Sequence, residues 1–415
     1  MFNISEKIQN LSKKAMNLCK NEFEKIDSMT EYNQQKVLKA FIDNSVSERH
    51  FVGSTGYGYG DDGRDVLDKV FAQIFGGKDA LVRHNFVSGT HALTVALFGV
   101  LRPGDTILSV SGAPYDTLQG VIGANKKSSG SLQEFGINYL EIPLTIDGLL
   151  NFSAIEDTLN SKIKMVYMQR SRGYSLRPSL FVSDIKKVAQ IAKKKSPNCI
   201  IMLDNCYGEF VGYDEPLLNG VDLIVGSLIK NPGGGIASTG GYIAGRKDLI
   251  EMCSYRLTTP GTGKEIGATL GVNRELFMGI FNAPHVTGEA LKVAVFSAAL
   301  FEILGYEVFP KYNEPRSDII QVLKLGNAKD LIAFCQSIQA ASPIDSFVKP
   351  EPWDMPGYDN QVIMAAGTFT LGASIELSAD APLRKPYAVF MQGGLNFHSA
   401  KVGIMLAADE ILKKN

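Results

Sequence analysis

Three short segments of this 415-residue sequence carry residue types that could act together on one small molecule. The first is Phe86-Val-Ser88-Gly89-Thr90-His91, which ends one apolar run and opens another. Read as a strand passing into a helix, it offers the backbone N–H groups of Gly89 and Thr90 and two hydroxyls, a cradle for an anion at a helix N-terminus. The second is Ile201-Met-Leu-Asp204-Asn-Cys206-Tyr207, an apolar strand that ends in an acid. The third is Asp222-Leu-Ile-Val-Gly226-Ser227-Leu-Ile-Lys230, an apolar strand that ends in a lysine and is followed by Asn-Pro-Gly-Gly-Gly. All three fall at the carboxyl ends of expected strands, so a parallel sheet would bring them to one edge.

An anion cradle, an acid and a lysine at one edge match the needs of pyridoxal phosphate. The helix start takes the phosphate, the acid keeps the pyridine nitrogen protonated, and the lysine forms a Schiff base. The amine must lose its proton to attack, and restricted solvation is expected to depress its pKa. Ser227-Leu-Ile-Lys230 also matches the S-x-x-K of acyl-transferring serine enzymes, but the SDN and KTG elements that accompany it there are absent. Gly58-Tyr-Gly60-Asp-Asp-Gly63 is a literal GxGxxG. It lacks a preceding apolar strand, and Asp61 and Asp62 would repel a phosphate. No Walker A loop and no GxSxG occur.

The elements that must position these residues follow from hydrophobic periodicity. Residues 1–50 read as amphipathic helices, and 51–65 as a glycine-rich stretch too polar and flexible for the core. Helical spacing covers 66–75, 90–101, 153–159 and 183–195. Strands are expected at 80–87, 106–110, 137–142, 164–168, 199–203 and 223–225, and a glycine-rich, antiparallel one at 238–244. Strands alternating with helices define an α/β chain with a parallel sheet. A long apolar helix is expected from about 284 to 305, with a smaller α+β segment behind it whose strands cover 369–377 and 387–390. The expected division is a helical segment 1–50, a large α/β domain 51–285 and a C-terminal domain 286–415.

Composition narrows the function classes. The 42 basic and 43 acidic residues leave a net charge of -1, which argues against a nucleic-acid partner or a polybasic membrane patch. The five cysteines and five histidines are scattered without metal-ligand spacing, so no metal site is expected. No apolar run is long enough to span a bilayer and the N-terminus has no signal-peptide core, so a cytoplasmic protein is expected.

With these residues in place, the sequence resembles the fold-type I pyridoxal-phosphate enzymes of the cystathionine and methionine lyase class. Within them it is most similar to the family named for aluminium resistance and for likeness to methionine gamma-lyase. The similarity runs through 53–65, 86–91, 112–117, 168–179, 204–207, 227–235 and 372–401, and the Asp…Ser-x-x-Lys-x-x-Gly-Gly spacing is its most specific part. The resemblance implies the aspartate aminotransferase-like fold, with a mostly parallel seven-stranded sheet in the large domain and a smaller α+β domain. It implies Lys230 as the Schiff-base lysine and proton carrier, and Asp204 as partner of the pyridinium. Ser88, Gly89, Thr90 and Ser227 would bind the phosphate, with Cys206 as the small residue beneath the ring. Tyr115 would stack on the ring and donate a proton to a leaving thiolate.

Tyr57 would lie in the segment that reaches a partner subunit's site, although the Tyr-x-Arg found there in such lyases reads Tyr57-Gly-Tyr59 here. Arg384 is the implied reader of the substrate α-carboxylate, and Gln169, Arg170 and Arg172 are further candidates at the same edge. The implied activity is elimination of a β or γ substituent, usually sulfur, from an amino-acid substrate. The implied assembly is a homodimer or homotetramer with sites between subunits. Another pyridoxal-phosphate reaction such as transamination, or a non-catalytic binding role, is the alternative.

Overall fold

The computed structural model describes residues 2–124, 128–355 and 360–414, the last without its Lys414 side chain. A 38-residue helix, α1 (Glu6–Asp43), replaces the several helices expected near the N-terminus. Ser5 caps it, and its buried side chains recur at helical spacing from Ile8 to Ala40. The next elements are α2 (Asp62–Phe75), β1 (Asp79–Arg83), α3 (Gly89–Val100), β2 (Thr106–Ser109), α4 (Asp116–Ile122), β3 (Asn138–Glu141), α5 (Phe152–Thr158), β4 (Ile163–Gln169) and α6 (Val182–Lys195). Then come β5 (Ile200–Asp204), β6 (Leu223–Ser227), β7 (Gly241–Gly245) and α7 (Lys247–Leu257). These strands form one seven-stranded sheet in the order β1-β7-β6-β5-β4-β2-β3. β2 to β6 run parallel, while β7 pairs antiparallel with both β6 and β1. The α/β reading and the mostly parallel seven-stranded sheet are thereby realised.

The inner strands β4, β5 and β6 are almost wholly buried, as apolar strands covered by helices on both faces must be. Their register matters most for function. Gln169 lies opposite Asp204, and Asp204 opposite Val225, so the strand ends that carry polar groups meet at one edge.

The chain continues through α8 (Asn273–Ile303), β8 (Glu307–Phe309), β9 (Gln321–Lys324), α9 (Ala328–Ala340), β10 (Val362–Ala365), β11 (Ser378–Pro382), β12 (Ala388–Gln392) and α10 (Phe397–Lys414). The last five strands form a second, antiparallel sheet in the order β10-β11-β12-β9-β8. Helix α8 starts eleven residues before the expected 284, with Pro284 inside it. Pro284 has no N–H to give the Ile280 carbonyl one turn earlier, and Gln34 of α1 donates to the next carbonyl, that of Phe281, at 2.8 Å. Side chains 276–283 of α8 pack under the large sheet, while those from 286 onward pack with the second sheet.

Two expectations fail for identifiable reasons. Residues 369–377 form no strand. The buried Glu376 carboxylate accepts the N–H groups of Phe369 at 2.9 Å and Thr370 at 3.0 Å, and Gly372 turns the chain at φ +78°. Backbone donors satisfied by a side chain are lost to a ladder, and the strand begins only at Ser378. The glycine-rich stretch is also less free than its composition says. Asp61 caps α2 by accepting the Arg64 N–H at 2.8 Å and also receives the hydroxyls of Ser54 and Thr269. These bonds hold its carboxyl below the usual range although burial works the other way. Arg64, only 1% exposed, clamps the carbonyls of Gly58 and Gly267.

Candidate active site

Lys230 leaves the carboxyl end of β6 in a loop that is pressed onto α8. A Cβ at Gly233 would stand 1.6 Å from the Leu228 carbonyl oxygen, and one at Gly234, which has φ +53°, would stand 2.4 Å from that of Gly279. The glycines after the lysine are what allow this approach. Asn231, fully buried, donates to the Glu209 carbonyl at 2.9 Å and ties the lysine loop to the loop after β5. Asn33 of α1 holds the far end of that second loop through the Gly212 carbonyl at 3.0 Å. The long first helix is therefore part of the scaffold for Asp204.

The Lys230 amine lies 4.1 Å from the centre of the Tyr207 ring, within cation–π range. Tyr207 adopts φ +70°, a left-handed conformation uncommon for a residue with a side chain, and its hydroxyl donates to Ser374 at 3.0 Å. The amine opens on a cavity of about 380 Å³. Its first wall comes from the large sheet and includes Tyr115, Gln169, Arg172, Asp204, Cys206 and Tyr207. Its second comes from the C-terminal sheet and includes Asp380, Arg384, Phe390 and Gln392.

Burial works against the Lys230 ammonium, but the acidic groups around it, of which Asp204 is the carboxylate, outweigh it and raise the pKa above the ordinary lysine value. The protein's own groups thus reverse the expected depression. Burial raises the Asp204 carboxyl above the usual range, with Lys230 and the Cys206 N–H, 3.1 Å from Oδ1, pulling the other way. Burial and the Asp204 charge also raise Tyr115. Its phenol stays protonated and donates to Thr90 Oγ1 at 2.8 Å. The same factors keep Cys206 a neutral thiol, as expected of a packed rather than catalytic cysteine.

The phosphate-cradle residues gather beside this cavity. A Cβ on Gly89 would lie 3.2 Å from that of Ser227 and 3.7 Å from the Cys206 sulfur, so the start of α3 sits directly against the ends of β5 and β6. Ser88 spends its hydroxyl capping the helix, accepting from the His91 N–H at 3.1 Å. That leaves the N–H groups of Gly89 and Thr90, which have no partner within any helix, for a ligand. Ser227 is 1% exposed and accepts the Ile229 N–H at 3.3 Å. It is outside the cavity lining, as are Gly89 and Thr90, and its burial argues against the acyl-transfer reading. A buried carboxylate and an amine on one cavity, with a helix start beside it, suit the ring nitrogen, aldehyde and phosphate of pyridoxal phosphate.

The remaining expected residues are placed less centrally. Arg384 is exposed at the cavity rim, its guanidinium 3.5 Å from the Tyr174 carbonyl. Arg172 lines the cavity while only 6% exposed, and its Nε has no acceptor among the described residues. Arg170 turns away to Asn205 at 2.9 Å. Tyr57 and Tyr59 stand 74% and 65% exposed, outside the lining of their own chain's cavity. Arg64, fully engaged, cannot replace the missing arginine beside them. Sequence reasoning gave no role to Tyr207, although it stands in the quoted Asp204 segment, and did not single out Asp380, Gln392 or Glu209. Among the described residues, no cluster of three metal-ligating side chains exists, and no helix is long and apolar enough to cross a membrane.

The sheet, the strand-end lysine and acid, and the capped helix between them define a pyridoxal-phosphate enzyme of fold type I. The sequence matches the methionine gamma-lyase family over residues 8–412, and the chain belongs to that family. It is 53% identical to a Clostridium novyi protein whose crystal structure is that of a carbon–sulfur lyase involved in aluminium resistance. That match covers 98% of this chain and 96% of the other, with a TM-score of 0.95. It is 49% identical to the uncharacterised protein YnbB of Bacillus subtilis, over 94% of this chain and 93% of that one. L-methionine gamma-lyase of Pseudomonas putida is 27% identical over 210 residues, covering 50% of this chain and 45% of the enzyme. Pyridoxal phosphate is the cofactor of this family and fold.

Proposed function

We propose that the protein eliminates a sulfur-bearing β or γ substituent from an amino acid. The observation that carries this reading is the convergence of Lys230, Asp204 and Tyr115 on one cavity, next to the open start of α3. Pyridoxal phosphate, when bound, supplies the electron sink that makes an amino acid's Cα–H acidic. The chain's own groups then divide the work. Gly89 and Thr90, with Ser227 behind them, would hold the phosphate, Asp204 would keep the ring nitrogen protonated, and Cys206 would be the small residue beneath the ring. Lys230 carries the proton at Nζ from Cα. Tyr115, kept protonated by burial, donates from its hydroxyl to the departing sulfur. Support for carbon–sulfur cleavage in particular comes from the named activities of the Clostridium novyi and Pseudomonas putida relatives. Tyr57 and Tyr59, exposed in the single chain, belong in this reading to the contact with a second copy, in a homodimer or homotetramer.

The test is the visible absorption of the purified protein incubated with pyridoxal phosphate. A band near ~420 nm that borohydride abolishes and that Lys230→Ala lacks is expected for a lysine-bound cofactor, with ketoacid and thiol released from sulfur amino acids. Cofactor that binds without any such release would point to another reaction. The lack of a band would sink the reading.

A further inference from the structure

A second cavity, of about 280 Å³, lies between the loop that follows β4 and the loop that joins β8 to β9. Arg172 lines both cavities, whereas Arg316 lines the second and not the first. One glutamine links the two guanidinium groups. Arg172 Nη1 and Gln321 Nε2 both donate to the Phe309 carbonyl, at 3.4 and 3.2 Å, and Gln321 Oε1 accepts from Arg316 Nη2 at 2.7 Å. Other donors go unused. Nε of Arg172, and Nε and Nη1 of Arg316, are closed off from solvent and have no acceptor among the described residues. Arg172 as a whole is only 6% exposed.

The carboxylates at this cavity do not answer the two charges. Asp318 receives the Ser179 hydroxyl and the backbone N–H groups of Arg172 and Ile320, at 3.4 and 3.1 Å, and Glu314 receives the Lys311 N–H at 2.8 Å. Among the described residues neither carboxylate is hydrogen-bonded to either guanidinium. Burial brings Arg316 down to about 10, and the Arg172 charge adds to that more strongly than Asp318 opposes it. Neighbouring buried cations with unmade hydrogen bonds are unfavourable unless an anion supplies both charge and acceptors. The rest of the wall says which anion. Leu176, Phe181, Phe309, Pro310 and Pro315 are apolar, and would strip water from the outer oxygens of a phosphate without replacing it. A carboxylate with an apolar body has its charge at one end only and suits both parts.

We infer that this second cavity is a binding site for a small carboxylate with an apolar body, held between Arg172 and Arg316. The site does not depend on which reaction the first cavity performs.

Calorimetry on the holoenzyme tests this with 4-methylpentanoate, its neutral counterpart 4-methylpentanamide, and inorganic phosphate. The wild-type protein is expected to bind the carboxylate at least about tenfold more tightly than either of the others, the usual span for a hydrogen bond to a charged group. Arg316→Met is expected to weaken that binding by about tenfold or more. Since Arg316 does not line the first cavity, the ~420 nm band should stay, and turnover of any amino acid the protein cleaves should hold within about twofold. Carboxylate affinity that survives Arg316→Met would place the ligand in the first cavity and overturn the inference. So would a wild-type protein that binds the amide or phosphate as tightly as the carboxylate, or that binds none of the three. Should Arg316→Met not fold, Arg316→Lys keeps the test. It retains the charge but loses the Nε donor and the planar fork, so affinity is expected to fall at least about threefold, and an unchanged affinity counts against the inference.

Discussion

The two walls of the cavity hold the same kind of group in opposite settings. On the first, Asp204 ends a buried parallel strand, faces a lysine, and is held by the backbone N–H of Cys206. On the second, Asp380 sits within an antiparallel strand and meets only the neutral donors Gln392 and Tyr174. Burial raises both carboxyls. The difference lies in what offsets it: the first wall already contains the opposing cation, and the second offers neutral donors alone. On the proposed reading, the wall made of parallel strand ends holds the groups that every turnover needs.

Substitutions on the first wall should accordingly affect all substrates alike. Asp204→Asn keeps the shape and the acceptor for the Cys206 N–H but removes the charge. A loss in kcat on the order of 100-fold is expected for every amino acid tested, since electrostatic stabilisation of developing charge is involved. A loss confined to one substrate would erase the distinction between the walls.

A third carboxyl sharpens the comparison because, among the described residues, no cation forms an ion pair with it and it lies outside the cavity lining. Glu209 is fully buried, accepts the Tyr242 hydroxyl at 2.8 Å, and has its other oxygen unpartnered among the described residues. Burial pushes its pKa up to about 8, despite hydrogen bonds and the nearby Lys230 and Arg170 acting the other way. A raised carboxyl means that the folded protein holds a proton the unfolded chain has lost. Stability should therefore fall as pH rises from about 4.5 to about 8 and level off above it, because the unfolded state binds fewer protons across that window. The loss from this one group is of order 5 kcal/mol at most. Glu209→Gln should flatten the slope of melting temperature against pH over that window. An unchanged slope would show that Glu209 is ionised in the fold.

The first wall was legible in the sequence and the second was not, for physical reasons. Apolar runs that end in Asp204 and Ser227-x-x-Lys230 show both the strand and the group at its end, because a parallel sheet delivers all such ends to one edge. The helix start at Ser88-Gly89-Thr90 is visible for the same reason. The second wall depends on tertiary bonds without a local signature. Glu376 takes the N–H groups of residues 369 and 370 and unmakes an expected strand, and Asp380 faces the cavity only because β11 and β12 pair in one register. Tyr207 sat in a quoted motif, yet its place beside Lys230 follows from a left-handed backbone that no spacing rule reveals.

The smallest expected effect separates the rim from the interior. Arg384 is exposed where it reaches the cavity, with one long contact to the Tyr174 carbonyl at 3.5 Å, whereas Arg172 lines the same space almost wholly buried. A guanidinium still in water gains little from a substrate carboxylate, and what it gains it gains equally in the ground and transition states. Arg384→Ala should therefore raise KM by no more than about tenfold and leave kcat within about twofold. A large fall in kcat instead would mean that the rim closes over the substrate during turnover, and that Arg384 acts with the buried groups of the first wall.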